Sequence, residues 1–488
     1  MPFNKIPKEV MNIAEKLENA GFEAYFVGGC VRDILSEKKP KDWDITTNAK
    51  PEDIENLFEN TYYNNDFGTV GVVNEDVEDE TIKTVEVTPY RKESGYSDSR
   101  RPDSVKFSNS LKEDLARRDF TINALAMDKK GEITDLYEGE KDLRNKLLRA
   151  VGEAKDRFTE DALRMMRAIR LATELNFNIE EDTKKAIKEN IPILEKIAKE
   201  RIRDEFVKIL MSERPKKGLE MLFEVDALKY IAPELQEGMG IGQNQAHSYD
   251  VWEHHLRSVQ HAADKNWSLE VRMTALLHDI GKPKSRRFSK EKNDYTFYGH
   301  EVVSARIVKK IMKSLNFSKE FTDNVYKLTR WHMFFSDPDL ITLSAVRRMI
   351  RNVGRENIWE LMRVRICDRV GTGRPKEQPF RFRKYKSMIE EALRDPISVK
   401  MLKIDGGRVM EITKEKPGPK IGYILHALLE EVLDDPNKNT EEYLEKRAIE
   451  LSELSEEELK KLGEEGKQKI EQAEEEEVKG LRDRYHVK

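Results

Sequence analysis

Residues 24–47 read AYFVGGCVRDILSEKKPKDWDITT, and this stretch decides the fold of the N-terminal part. AYFV (24–27) is aromatic and branched and runs into Gly28 and Gly29, so it reads as a strand ending in a glycine turn. DWDITT (42–47) alternates and is β-branched at its end, which predicts a second strand. Side chains repeat every two residues along a strand, so Asp42 and Asp44 share one face. Two adjacent carboxylates repel, and a divalent cation relieves the repulsion. Two metals held this way can activate an attacking hydroxyl and neutralise a leaving phosphate. Gly28 and Gly29 let backbone N–H groups approach a triphosphate with no Cβ in the way. Arg32, on the next turn, suits a phosphate. A DxD pair alone is common on solvated strands. The strand, double glycine, arginine and spacing together make the pattern specific.

Around this stretch, TVGVV (69–73) and TVEVT (84–88) are further strand candidates, and Glu86 is a candidate third carboxylate. Residues 10–19, 51–58 and 116–126 have helical spacing, so residues 1–150 read as a small α/β domain. From about residue 153 the pattern is almost purely helical, as in EDALRMMRAIRLATEL (160–175) and IPILEKIAKERIRDEFVKILM (191–211). The helical stretch 250–370 is broken by SKEKNDYTFYG (289–299), which reads as a polar loop. KEKPGPKIG (414–422) is a turn feeding a helix, and residues 441–477 read as charged, solvated helix or as a frayed end.

A length of 488 residues suggests about three domains. Charged residues make up 37% of the chain, above the usual ~25%. No apolar run approaches the ~18 residues of a membrane span, and MPFNKIPKEV lacks a signal-peptide core. Two cysteines, Cys30 and Cys367, cannot build a disulfide framework, so a reducing cytoplasm is expected. The net charge of −5 argues at first against a nucleic-acid partner. Residues 441–488, however, hold 16 acidic and 10 basic side chains, which leaves +1 for residues 1–440. Local basic tracts remain available there. In RPKEQPFRFRKYK (374–386), Phe380, Phe382 and Tyr385 interleave with cations, a pattern suited to RNA.

A second constellation involves histidine. Seven of the nine histidines fall within residues 247–332. His254 and His255 are adjacent, His278 precedes Asp279, and His300, His332 and Asp368 lie further along. Neutral imidazoles and carboxylates are ligands for first-row metals.

The stretch AYFVGGCVRDILSEKKPKDWDITTNAKPEDI resembles the head of the bacterial class II tRNA nucleotidyltransferases, the CCA-adding enzymes. DLARRDFTINALAMD (114–128), ITDLYEGEKDLRNKLLRAVG (133–152) and EDALRMMRAIR (160–170) match further motifs of that family in order. The series H…HD…D resembles the HD-domain phosphohydrolases. The resemblance implies an α+β multidomain chain. A polymerase β-like nucleotidyltransferase head (1–150) would lead into a helical neck and body (151–245). An HD domain (246–375) and a helical body and tail (376–488) would complete the chain. It implies Mg²⁺ on Asp42 and Asp44, with CTP, ATP and tRNA as substrates. Gly28, Gly29, Arg32, Arg118, Asp119, Glu160, Asp161, Arg164 and Arg167 would bind nucleotide. Asp119 would accept from a ribose hydroxyl. Asp161 only accepts hydrogen bonds and Arg164 only donates. Together they match the amine and ring nitrogen shared by cytosine and adenine, and mismatch guanine and uracil. On one helix Glu160 would orient Arg164 from the i, i+4 position.

For the HD part the resemblance implies a divalent metal on His254, His278, Asp279 and Asp368. His300 and His332 would hold a second, with Asp279 bridging. The family frame EHxL favours His254, but the adjacent His255 stays a candidate. Lys282 would assist phosphate binding. A CC-only or A-only enzyme and a poly(A) polymerase are the nearest alternatives. The acidic C-terminal end argues against the last, and the loop from Arg91 to Arg101 favours full CCA addition.

Overall fold

The computed structural model describes residues 6–63, 68–75, 77–94, 104–243, 248–291, 293–334, 341–374 and 376–462. It divides into two compact units, Met1–Pro233 and Glu234–Lys488. Most of the loop expected from Arg91 to Arg101 and the last 26 residues of the charged end lie outside the described residues.

The first unit is built on a seven-stranded sheet. Its strands are β1 (Ala24–Val27), β2 (Asp44–Thr47), β3 (Thr61–Tyr63), β4 (Val70–Val73), β5 (Thr84–Pro89), β8 (Leu125–Met127) and β9 (Ile133–Asp135). The order is β3-β4-β5-β2-β1-β8-β9, and β6 (Arg91–Ser94) pairs apart with β7 (Ser104–Phe107). β2 and β5 are parallel, with Asp44 opposite Glu86. The core side chains Phe26, Trp43, Ile45, Val85 and Val87 fill the space between the sheet and the helices Lys8–Asn19 and Pro51–Leu57.

Two readings need correction here. β2 begins at Asp44, so Asp42 precedes the strand. Its position is set instead by Trp43, which is buried and packs edge-on to Phe26 at 6.2 Å. Residues 116–126 are not a helix. A helix Leu111–Ala116 ends there, a 3₁₀ turn covers Thr121–Asn123, and β8 begins at Leu125. The reason is sheet pairing: Val27 lies opposite Ala126, so tertiary partners override a pattern that is apolar by helical spacing.

Beyond the head the chain is helical. Residues 160–175 do not form one helix. Ala154–Glu160 stops at Asp161, whose φ of −135° is extended, and Leu163–Leu175 starts afresh. β10 (Leu147–Leu148) pairs in parallel with β11 (Asn178–Ile179), tying the end of that helix back to the connecting segment.

In the second unit, the helices Val251–Asp264, Leu269–Leu277, His300–Ser314, Lys319–Arg330 and Ile358–Gly371 pack together. Gly371 allows the close crossing of the first and last of these. A Cβ there would meet Ser258 Oγ at 2.1 Å and His254 Nδ1 at 2.9 Å. The helices Leu343–Val353, Phe380–Ala392, Pro419–Asp434 and Glu441–Ser452 share another core. Buried Arg348 crosses it, donating to Glu430 (3.0 Å) and Asp434 (2.7 Å). Of the aromatics in 374–386, Phe382 and Tyr385 face this core, and only Phe380 is exposed beside Arg381, Arg383 and Lys384. The stretch 289–299 is not a plain loop. It carries β13 (Asp294–Thr296), paired with β12 (Arg287–Ser289). Among the described residues no helix is long and apolar enough to cross a membrane.

Candidate active sites

In the head, β1 ends at Val27 and the chain turns at Gly28, where φ is +77°. That conformation favours glycine, and so does the space: a Cβ at Gly28 would lie 3.3 Å from Asp44 Oδ2 and 3.3 Å from Arg118 Nη1. A Cβ at Gly29 would lie 3.5 Å from Asp42 Oδ1 and 3.6 Å from Arg32 Nη2. The two glycines, two aspartates and two arginines therefore meet at one turn. Glu86, opposite Asp44 in the neighbouring strand, adds a third carboxylate. Desolvation, then Asp42 and Glu86, push the Asp44 carboxyl up to about 7, and Arg118 offsets this only in part. Three hard oxygen donors with this excess of negative charge fit a divalent cation.

A pKa raised in this way has a consequence for stability. Asp44 binds its proton more tightly in the fold than in the unfolded chain, whose carboxyl sits near 3.8. The stability this gives is complete below pH 3.8 and is lost as pH rises through about 7. A cation bound to ionised Asp44 reverses the loss. Mg²⁺ is therefore expected to raise the melting temperature more at pH 8 than at pH 5.5, measured against EDTA. An equal rise at both pH values would refute this account of Asp44.

Arg118 is held by Asp114, a buried residue that sequence reasoning missed. Asp114 accepts from Arg118 Nη2 (3.2 Å), Arg117 Nη2 (2.6 Å) and Thr46 Oγ1 (3.1 Å). Burial pushes its carboxyl up, but the two guanidiniums outweigh burial and hold it below the usual range. Its i+3 and i+4 spacing to Arg117 and Arg118 is a local signal that could have found it, whereas its contact with Thr46, 68 residues away, is not.

Asp119 and Arg167 form an ion pair of 2.8 Å. Asp119 also accepts from Phe120 N–H (2.9 Å) and Asn123 Nδ2 (3.2 Å), while Asn123 Oδ1 accepts from Arg32 Nη1 (2.9 Å). A polar chain thus runs from Arg32 through Asn123 and Asp119 to Arg167. Asn123 was not foreseen. Glu160 accepts from Arg157 Nη2 (2.5 Å) and is ion-paired with Arg164. Arg164 Nη2 also donates to the Arg117 carbonyl (3.1 Å), fastening the helix start to the RRD segment. Asp161 accepts from Leu163 N–H (3.1 Å) and from Arg201 Nη2 (3.3 Å). Glu160 and Arg164 meet as expected for i, i+4, although the helix breaks between them. Asp161 is instead fixed by Arg201, 40 residues later, which no local pattern announced.

In the second unit all six expected groups converge. Asp279 Oδ2 lies 3.2 Å from His254 Nε2 and 3.4 Å from His278 Nε2. Asp279 Oδ1 lies 3.1 Å from His300 Nε2 and 3.4 Å from His332 Nε2. Asp368 Oδ1 is 3.5 Å from His254 Nε2. These atoms fall into two compact donor groups, His254–His278–Asp279–Asp368 and Asp279–His300–His332, sharing Asp279. His255 is buried but belongs to neither group.

The ring orientations suit a metal. Nδ1 of His278, His300 and His332 donates to the carbonyls of Ala275 (3.0 Å), Phe297 (2.7 Å) and Thr329 (2.7 Å). A carbonyl only accepts, so each Nδ1 carries the proton. This outer support leaves Nε2 facing the centre. Nε2 of His300 and His332 and Oδ1 of Asp279 are buried with no hydrogen-bond partner. With protein groups alone, charge is balanced by Lys282, 2.6 Å from Asp279, and by His278. Burial pushes the His278 imidazole down, but Asp279 and Asp368 prevail and raise it to about 9. Converging imidazole and carboxylate donors with buried unsatisfied atoms fit a divalent metal of the first row. Lys282, expected near phosphate, is committed to Asp279 and to Gln243 Oε1 (2.6 Å).

Comparison with known families agrees with both halves. Residues 24–149 match the Poly A polymerase head domain, and residues 176–239 match the probable RNA and SrmB-binding site of polymerase A. Residues 251–373 match the HD domain. Head, RNA-binding segment and HD domain together place the chain in the class of proteins that join a poly(A) polymerase-type head to an HD domain. The CCA-adding enzyme of Lactiplantibacillus plantarum is 36% identical over 427 residues, covering 86% of this chain and 90% of that protein. That of Ligilactobacillus salivarius is 50% identical over 224 residues, covering 46% and 54%. Against three such relatives, those of Leuconostoc mesenteroides, L. salivarius and Enterococcus faecalis, the match spans 66%, 54% and 56% of their lengths. The crystal structure of the Bacillus stearothermophilus CCA-adding enzyme in complex with CTP superposes with a TM-score of 0.67 at 28% identity, over 92% of this chain and 97% of that one. This chain belongs to the family of CCA-adding enzymes.

Proposed function

We propose that the chain adds CMP, CMP and AMP, from CTP and ATP, to the 3' end of tRNA without a nucleic-acid template. The carrying observation is the meeting of Asp42, Asp44 and Glu86 with Arg118 around the Gly28 turn. Asp42 and Asp44 would hold Mg²⁺, with Glu86 beside Asp44, and the ion would supply Lewis acidity at the tRNA 3'-hydroxyl and offset charge on the triphosphate. Gly28 and Gly29 admit the phosphates, and Arg32 and Arg118 face them. The 3'-hydroxyl gives up its proton to solvent as its oxygen bonds to the α-phosphorus, and pyrophosphate leaves with the electrons of the broken P–O bond. Such chemistry depends mainly on positioning and on fixed charge.

Base choice belongs to Asp161 and Arg164, with Glu160, Asp119 and Arg167 around them. Arg201 and the Leu163 amide fix Asp161, and Glu160 fixes Arg164, so both present rigid edges. A fixed pair rejects a mismatched base better than mobile side chains could. Asp161→Ala is expected to cut discrimination against GTP and UTP about 100-fold while CTP use falls less. Kinetics with each NTP measure it, and undiminished discrimination sinks the assignment.

The domain division at residues 150, 245 and 375 and a cytoplasmic setting are part of this reading. A second activity is favoured by the six-group His–Asp cluster: hydrolysis of phosphoesters, including 2',3'-cyclic phosphates. A divalent metal held by these six groups would supply the Lewis acidity that activates water for such hydrolysis. Tests begin with tRNA transcripts ending before C74, after C74 or after C75, incubated with each NTP and Mg²⁺. Sequencing of the 3' ends distinguishes CCA addition from CC-only, A-only or poly(A) addition, and any of the last three overturns the main reading.

A further inference from the structure

The β12–β13 hairpin and the segment that follows it leave three aromatic side chains in solvent. Phe288 is 55% exposed, Tyr298 66% and Tyr295 36%. Phe288 and Tyr295 are cross-strand partners whose rings meet edge to face at 5.4 Å. The Arg286 guanidinium stacks over Tyr295 at 3.6 Å from the ring centre. Single exposed aromatics are ordinary on a protein surface, but three on one short element call for an explanation. The Phe288–Tyr295 contact helps to hold so short a hairpin, yet it leaves more than half of Phe288 in solvent and does not involve Tyr298, the most exposed of the three.

Its charge narrows the choice of partner. Residues 282–300, KPKSRRFSKEKNDYTFYGH, carry six cationic and two acidic side chains. Among the described residues, Arg286, Arg287 and Lys290 have no acidic partner. A protein partner or a second copy would meet this concentration of positive charge as repulsion unless its own face were acidic. Single-stranded RNA satisfies both features. Its bases stack on rings without regard to sequence, and its phosphates meet lysine and arginine.

The hairpin is also joined to the His–Asp cluster. Phe297, directly after β13, accepts from His300 Nδ1 at 2.7 Å, and Lys282 Nζ lies 5.7 Å from the Phe297 ring centre. Gly299, with φ of +73°, then turns the chain so that His300 opens its helix. An RNA stacked on the outer rings therefore lies on the same short segment that delivers His300 to the cluster.

We infer that the β12–β13 hairpin is a platform for single-stranded RNA, with Phe288 and Tyr298 stacking bases and Arg286, Arg287 and Lys290 binding the backbone. It rests on the phosphohydrolase reading only for the step after binding, the presentation of a terminal phosphate to the cluster.

The test uses the full chain and a short fluorescein-labelled oligouridylate carrying 4-thiouridine and a 2',3'-cyclic phosphate end. Photo-crosslinks are expected in the peptide spanning residues 286–298. Phe288→Ala combined with Tyr298→Ala should weaken binding by at least about tenfold, as loss of one stacked base alone would give. Phe288→Trp should retain the wild-type affinity, and metal content should be unchanged in all variants. Crosslinks elsewhere, a double variant within about twofold of wild type, or concentration-dependent self-association abolished by the same variants would each overturn the platform. Binding and crosslinking without turnover of the cyclic phosphate would support the platform and refute the hydrolase reading alone.

Discussion

Asp44→Asn is expected to lower CMP incorporation by about 10³-fold, with the loss in kcat and CTP affinity changed only a few-fold. The substitution keeps volume and removes one charge from a site that depends on charge. A metal-bound carboxylate contributes several kcal/mol of transition-state stabilisation, and about 4 kcal/mol corresponds to the stated factor. Groups that act mainly in the transition state show their loss in kcat. Folding gives an independent readout of the opposite sign. Ionised Asp44 is crowded by Asp42 and Glu86 and by its own desolvation. Asn removes that crowding, so in EDTA at pH 8 the variant should melt no lower than wild type, and higher if the repulsion is large. The stabilisation by Mg²⁺ should disappear with it. Activity within about tenfold of wild type would remove Asp44 from the metal site.

The range of the forces involved decides which features are legible in the sequence. The Gly28–Gly29 turn and the DxD spacing are local, because backbone sterics and strand alternation act over two or three residues. Trp43 makes the pattern sharper than alternation alone, since one large buried ring between two aspartates leaves them few orientations. The misread segments are also local in form. Residues 116–126 resemble a helix because Ala116, Phe120 and Ala124 recur at helical spacing, but the backbone at Ala126 and Met127 is taken by pairing with Val27 and Phe26. β12 and β13 have only three residues each and mostly polar sequence, too little for a strand signal. Asp114, Asn123 and Arg201 were missed for a different reason. Each also has a partner 40 or more residues away, of which one sequence carries no trace, although Asp114 and Asn123 have local partners at three or four residues as well. The choice between His254 and His255 is of this kind as well. Both are buried, so hydrophobic patterning is silent; the family frame EHxL favours His254, and in the structure Asp279 and Asp368 approach His254.

Asp279 sits where the two donor groups meet, and its replacement should therefore have the larger effect on metal content. One carboxylate oxygen faces His254 and His278, and the other faces His300 and His332. Asp279→Asn is expected to reduce metal affinity at both groups by more than about 100-fold, beyond the 10–100-fold typical of losing an outer-shell partner. His332→Ala touches one group and should leave the other loaded. Elemental analysis of the purified variants distinguishes these results, and equal losses for the two variants would mean that Asp279 is not shared. Asp279→Asn also strands Lys282, which is buried and 2.6 Å from the lost charge. Breaking one side of a buried ion pair costs about 3–5 kcal/mol, so melting should fall markedly. That fall could be mistaken for the cause of metal loss. Adding Lys282→Met to Asp279→Asn removes the stranded cation and should restore much of the stability while metal binding stays lost. If metal returned with stability, the cluster would bind through its histidines and Asp368 alone. Nucleotide incorporation into tRNA by the doubly substituted chain should match wild type, because none of its head-site residues has changed.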